Sequence, residues 1–130
     1  MRYKGRMELP DGMTIPSVNE HKQPNWSAKR MYKKPQVDEY QESLRYRIKQ
    51  TDLIRLKELE DPNVKLEVWF KFCFRKRFWV RDVSNMIKAT EDSLRDAIEI
   101  DDSRTLKMHG EKEQIKGDIE IVEIEVEVID

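Results

Sequence analysis

The chain has 130 residues, 38% apolar and 39% charged, with a formal net charge of −1, which bounds it to a single domain (1–130) with a thin core. No run of about 18 apolar residues occurs, the N-terminal stretch lacks a signal peptide's apolar segment, and the one cysteine, Cys73, excludes an intramolecular disulfide and suits a reducing cytoplasm. The near-zero balance conceals a split: residues 1–90 carry 20 Lys+Arg against 12 Asp+Glu, whereas residues 91–130 carry 5 against 14. A basic portion beside an acidic one suggests an anionic partner next to a cation-binding site.

In chain order, a short strand is expected at residues 6–9, followed by the turn Pro10-Asp11-Gly12. Residues 16–35 are polar, basic and poor in aliphatics, and read as a long functional loop. Val37, Tyr40, Leu44 and Ile48 then recur at helical spacing, with Asp38 and Glu39 in the first turn where the helix dipole favours them. After a break, Leu53, Leu56 and Leu59 extend this helix until Asp61-Pro62-Asn63. Strict alternation of Val64, Leu66, Val68, Phe70, Phe72 and Phe74 with Lys65, Glu67, Trp69, Lys71, Cys73 and Arg75 predicts a strand with one core face. A second helix is expected over Val83–Ile98, burying Val83, Met86, Ile87, Thr90, Leu94 and Ile98. A last strand is expected over residues 119–129, with a phase shift between Ile121 and Val122 that suggests a bulge or burial on both faces. Strands and helices in this order predict an α+β fold: two layers, a mixed sheet of about three to four strands packed by two main helices.

The chemistry concentrates at residues 81–102. Asp82 precedes the second helix at the N-cap position. At 100° per residue, Asn85, Lys88 and Asp92 fall within about 60° of one another, away from the apolar stripe, and Ser84 and Glu91 overlap that face. Asp101-Asp102 follows the helix and can fold back towards it. Magnesium takes one or two carboxylates together with phosphate oxygens, so Asp82 with Asp102 suffices, and Lys88 beside them can neutralise charge on a phosphate.

Arg81-Asp82-Val83-Ser84-Asn85-Met86-Ile87-Lys88, then Asp101-Asp102, resembles the pattern of the RusA-like Holliday junction resolvases, approximately R-x-D-x-D-N-x-x-K, a helix, then D-D. Pro16-Ser17-Val18-Asn19, the basic-aromatic run Arg30-Met31-Tyr32-Lys33-Lys34-Pro35, and Lys112 after the acidic pair extend the likeness. The resemblance implies a homodimeric endodeoxyribonuclease of DNA recombination and repair that resolves four-way junctions by paired symmetric nicks, using Mg2+ or Mn2+. It implies that Asp82 and Asp102 bind the metal, that Asp101 assists, and that Lys88 acts on the phosphate. Ser84 departs from the pattern, standing where the family has its second carboxylate; either Glu91 or Asp92 then restores the charge, a water completes the metal's shell, or catalysis is impaired. The alternative is a non-catalytic branched-DNA-binding protein on the same fold, and a third reading is an interaction protein whose acidic end binds another protein.

For nucleic acid, the expected contacts are Asn19, Lys33, Lys34, Arg77, Arg81, Asn85 and Lys112, with Lys29, Arg30, Arg75 and Lys76 as further phosphate partners. Trp26 and Tyr32 interleave with them, Trp69 and Trp79 read as semi-buried sheet or dimer-interface residues, and His21 and His109 read as isolated surface residues. The strand at residues 64–74 and the first helix are the expected dimer surfaces.

Overall fold

The structure, a computed structural model, describes residues 1–17, 35–61 and 63–129. Its described elements are β1 (Arg2–Glu8), α1 (Pro35–Ile48), a 3-10 segment (Asp52–Glu58), β2 (Lys65–Phe74), α2 (Val83–Ile98), β3 (Thr105–Gln114) and β4 (Ile121–Ile129), with short 3-10 turns at Phe78–Val80 and Asp102–Arg104. The four strands form one mixed sheet in the order β1-β4-β2-β3. β4 runs antiparallel to both β1 and β2, and β3 runs parallel to β2, so β2, α2 and β3 make a βαβ unit. The fold is α+β, as expected.

The sequence builds this arrangement by period. Leu66, Val68, Phe70, Phe72 and Phe74 of β2 point inward, beside Val122, Ile124 and Val126 of β4. Tyr40, Leu44 and Ile48 of α1 and Met86, Ala89, Leu94, Ala97 and Ile98 of α2 cover that face. Hydrogen bonds lock the two helices together: Gln41 Nε2 donates to the Ala89 carbonyl at 3.1 Å, Ser93 Oγ donates to the Gln41 carbonyl at 3.1 Å, and the Tyr40 and Thr90 hydroxyls lie 2.5 Å apart. The helix that the leucines were expected to prolong changes pitch, because Thr51 caps a fresh 3-10 turn by accepting from Leu53 N.

Three expectations change. β1 is longer than residues 6–9, with Tyr3, Gly5 and Met7 turned inward; Gly5 hides the alternation, and it is small because Leu53 and Thr51 press on that site. β4 alternates without a bulge, since Val122, Ile124 and Val126 bury one face and Ile121 falls on the other. β3 has no apolar alternation, and its residues are largely exposed on both faces, so only its backbone pairing with β2 reveals it.

The other sheet face is open and charged. Arg2, Lys4 and Arg6 stand opposite Glu127, Glu125 and Glu123, with ion pairs of 3.0, 3.8 and 3.6 Å respectively. Three of the 14 acidic residues in the C-terminal segment thus form a cross-strand ladder that sets register and adds little stability. Trp69 stacks on His109 at 5.1 Å on this face, with the Arg2 guanidinium 4.7 Å from its ring, and His109 Nε2 lies 2.7 Å from Glu67. His109 is thus a partnered residue.

α2 lies close over the centre of β3. A Cβ at Gly110 would come within 2.7 Å of both Val83 and Ile87. Gly110→Ala is expected to cost about 1–3 kcal/mol, the scale of overpacking; urea denaturation measures it, and a neutral result would mean that α2 shifts freely over the sheet.

Candidate active site

The loop entering α2 is held by two buried or half-buried cations. Arg81 is 5% exposed. Its Nη1 donates to Glu120 Oε2 at 3.0 Å and to the Lys76 carbonyl at 3.1 Å; its Nη2 donates to Glu120 Oε1 at 2.7 Å and to the Ile15 carbonyl at 2.7 Å. The guanidinium also lies 3.9 Å from the Phe74 ring centroid. This corrects the expectation of a phosphate contact at Arg81: its bidentate partner is a buried carboxylate, and both terminal nitrogens are engaged within the protein. Glu120 also accepts from Ile15 N at 2.8 Å, tying residues 15, 81 and 120 together. Lys112 Nζ donates to the carbonyls of Phe78 at 2.7 Å and Arg81 at 3.0 Å, fixing the turn from the β3 side.

Asp82 follows at the N-cap of α2 in extended conformation, and its side chain makes no capping bond. It is exposed, as are Ser84 and Lys88, while Asn85 is half-buried. Arg77 is exposed in the left-handed region at φ 55° and, with Thr14, Ile15, Pro16, Ser17, Val80 and Arg81, lines a cleft of about 260 Å3. Trp79, expected to be semi-buried, is 80% exposed and meets Phe78 edge-on. Asn19, Lys33 and Lys34, with Trp26, Lys29, Arg30 and Tyr32, lie outside the described residues.

The acidic residues gather lower on α2. Arg95 Nη1 donates to Asp102 Oδ2 at 3.3 Å, so the residue after the helix does fold back onto it. Arg95 also lies 3.6 Å from Asp92 Oδ1, and Lys88 lies 3.8 Å from the same oxygen. Burial, and next Asp102, push the Glu91 carboxyl above its usual range, with Lys88 opposing. Asp101 caps the 3-10 turn by accepting from Ser103 N at 2.9 Å, and this backbone bond, followed by one with Asp102, holds its carboxyl below the usual range.

The structure therefore brings Lys88, Glu91, Asp92 and Asp102 together, with Arg95 added, a residue that the sequence reading missed; its signal was i+3 spacing from Asp92. It does not bring Asp82 to them. Nine residues of helical rise separate Asp82 from Glu91, about 13 Å along the axis, whereas two ligands of one Mg2+ sit within about 4 Å of each other.

Among the described residues, no group of three or more His, Cys, Asp or Glu is arranged to hold a metal ion. The donor chemistry nevertheless suits a hard divalent cation. Asp92 Oδ1 is buried without a hydrogen-bond partner, and the raised Glu91 carboxyl sits beside Asp102, so the cluster has negative charge that a cation would stabilise. Burial, with Glu123 and Glu113 nearby, pushes the Cys73 thiol up, which disfavours it as a nucleophile.

Glu91 gives a testable pH signature. A carboxyl with a raised folded pKa costs stability once the unfolded chain ionises first, so the penalty appears as pH rises through the ordinary glutamate range and is absent below it. Glu91→Gln is expected to stabilise the metal-free protein at pH 7 and to be neutral near pH 3. Urea melts at both values test this, and a destabilised variant at pH 7 would contradict it.

The chain is thus a two-layer α+β domain with a mixed four-stranded sheet and a cluster of carboxylates and a lysine on its βαβ helix. The chain matches the family model for Endodeoxyribonuclease RusA over residues 11–128, and it belongs to that family. Among curated proteins, none matches the chain significantly.

Proposed function

We propose that the protein is a divalent-metal-dependent endodeoxyribonuclease that resolves four-way DNA junctions by paired symmetric nicks, acting as a homodimer in the cytoplasm during recombination and repair. The observation that carries this reading, within a RusA family chain, is the exposed α2 face on which Lys88, Glu91 and Asp92 meet Asp102. Asp102 and Glu91, with Asp92, are the residues to hold Mg2+ or Mn2+, and Asp82 stands apart from them at the N-terminal end of α2. When bound, the ion supplies an activated water and neutralises charge developing on the phosphate.

The chain's own residues do the rest. Lys88, exposed at the edge of the cluster, supplies positive charge to a phosphodiester oxygen. Arg77, exposed in the turn after β2, and Asn85, half-buried in the first turn of α2, contact the DNA backbone and position the strand. Asp101 holds the turn that presents Asp102. Arg81 and Lys112 act at one remove, fixing the loop in which Asp82 sits.

Ser84, exposed in the first turn of α2 without a carboxylate, favours one alternative: a protein that binds branched DNA and does not cut it. A labelled four-way junction, compared with a linear duplex of the same sequence in Mg2+, Mn2+ or EDTA, separates the two. Metal-dependent nicking of the junction supports the enzyme, and tight salt-sensitive binding without nicks supports the binder.

A further inference from the structure

We infer that Trp79 senses the branch in the DNA: its indole stacks on a base face laid bare where the duplex is interrupted, and so selects branched over continuous DNA. This rests on the proposed reading of a nuclease that acts on DNA junctions.

The first observation is exposure. Among the described residues Trp79, 80% exposed, is the most open of the large apolar side chains, and its neighbour Val80 is 65% exposed. Both follow Phe78, which is buried against Phe74 with ring centroids 5.2 Å apart. The core is within reach of this turn, yet the turn gives it one aromatic ring and holds the next outside.

The second is rigidity. Arg77, at φ 55°, reverses the chain after β2, and Val80 N donates to the Arg77 carbonyl at 3.2 Å. Lys112 Nζ donates to the Phe78 and Arg81 carbonyls, which bracket Trp79 and Val80. The Trp79 ring meets the Phe78 ring edge-on at 5.0 Å, and the Lys112 ammonium lies 6.0 Å from its centroid. A ring whose backbone is fixed on both sides loses little freedom when it stacks on a ligand.

The third is charge, which identifies the occupant. Lys76 and Arg77 precede Trp79 and are exposed. Two carboxylates at this end of the sheet are already engaged, Asp118 by Arg75 at 2.9 Å and Glu120 by Arg81 at 2.7 Å. An aromatic ring beside exposed cations suits a nucleobase and its flanking phosphates. Two adjacent apolar side chains fall short of the several hundred Å2, in order of magnitude, that a protein-docking patch presents.

Stacking on an aromatic ring tolerates any base, because every base has a π-face, but that face must be bare. Within a continuous duplex each base pair is covered on both sides by its neighbours, and at a branch the stack is broken. Trp79 therefore distinguishes structure and is indifferent to sequence. It precedes Asp82 by three residues, at most about 10 Å along the chain, so a base held there brings the branch to the entrance of α2.

The test measures binding in EDTA, so its result does not depend on cleavage. The ligands are a labelled four-way junction and a pair of linear duplexes with the same arms and the same free ends. Trp79→Ala is expected to bind the junction about tenfold more weakly, the scale of losing one base stack, and to bind the duplexes as the wild type does. The slope of log K against log salt should stay unchanged, because no phosphate contact is lost. Trp79→Phe should restore most of the affinity. A Trp79→Ala chain that binds the junction as tightly as the wild type, or that weakens equally on both ligands, would overturn the proposal, as would a Trp79→Phe chain no better than alanine. A wild type that binds the junction and leaves it uncut in Mg2+ would overturn the nuclease reading alone, since the binding comparison still decides the role of Trp79.

Discussion

Replacing Glu120 with alanine is expected to destabilise the protein by about 3–5 kcal/mol, the scale of removing one partner from a buried ion pair and a large share of a typical domain's stability. The Arg81 guanidinium would keep its bonds to the Ile15 and Lys76 carbonyls but lose both carboxylate oxygens while remaining buried. Its two backbone partners tie the strand-end turn after β2 to the segment at residue 15, so the loop that carries Asp82 should loosen with it. Urea denaturation followed by tryptophan fluorescence measures the loss. Arg81→Met combined with Glu120→Ala should recover part of it, because no uncompensated charge then remains. A single-variant cost below about 1 kcal/mol would mean that water already reaches the pair.

Asp102→Asn is expected to lower junction nicking by about 10²-fold or more, the scale of losing one preorganised electrostatic group, while changing the thermal midpoint little, since Asp102 is only half-buried. Its negative charge is one cause that holds the Glu91 carboxyl high, so the variant should let the Glu91 pKa fall towards the usual range. An NMR pH titration of the Glu91 side chain reads this independently of catalysis. An unmoved titration would mean that the two carboxyls do not share a site, and unchanged nicking would remove Asp102 from the chemistry.

What could be read from the sequence follows from where periodicity survives. β2 and both helices bury one face against the sheet, so their apolar spacing is nearly complete and their positions were legible. β3 was not, because an edge strand with both faces exposed carries no alternation to read. Gly5 broke the pattern of β1 for a packing reason that only the neighbouring Thr51 and Leu53 disclose. Asp82, Lys88, Asp101 and Asp102 were legible as a motif, but the motif said nothing of distance; the helix between them is what separates Asp82 from Asp102. Arg81 was misjudged because its partner, Glu120, stands 39 positions away at the head of a strand, where a lone glutamate looks like surface. The dimer surfaces expected at residues 64–74 and α1 meet a related difficulty. β2 is an interior strand paired on both sides, and α1 turns its apolar stripe to the core.

The most direct test is to map nicks on all four strands of a labelled four-way junction incubated with the purified protein in Mg2+ and in EDTA. The expected result is cleavage at symmetry-related positions on two opposing strands, in Mg2+ only. A junction that is bound and left uncut in Mg2+, or cut equally in EDTA, would contradict a metal-dependent resolvase.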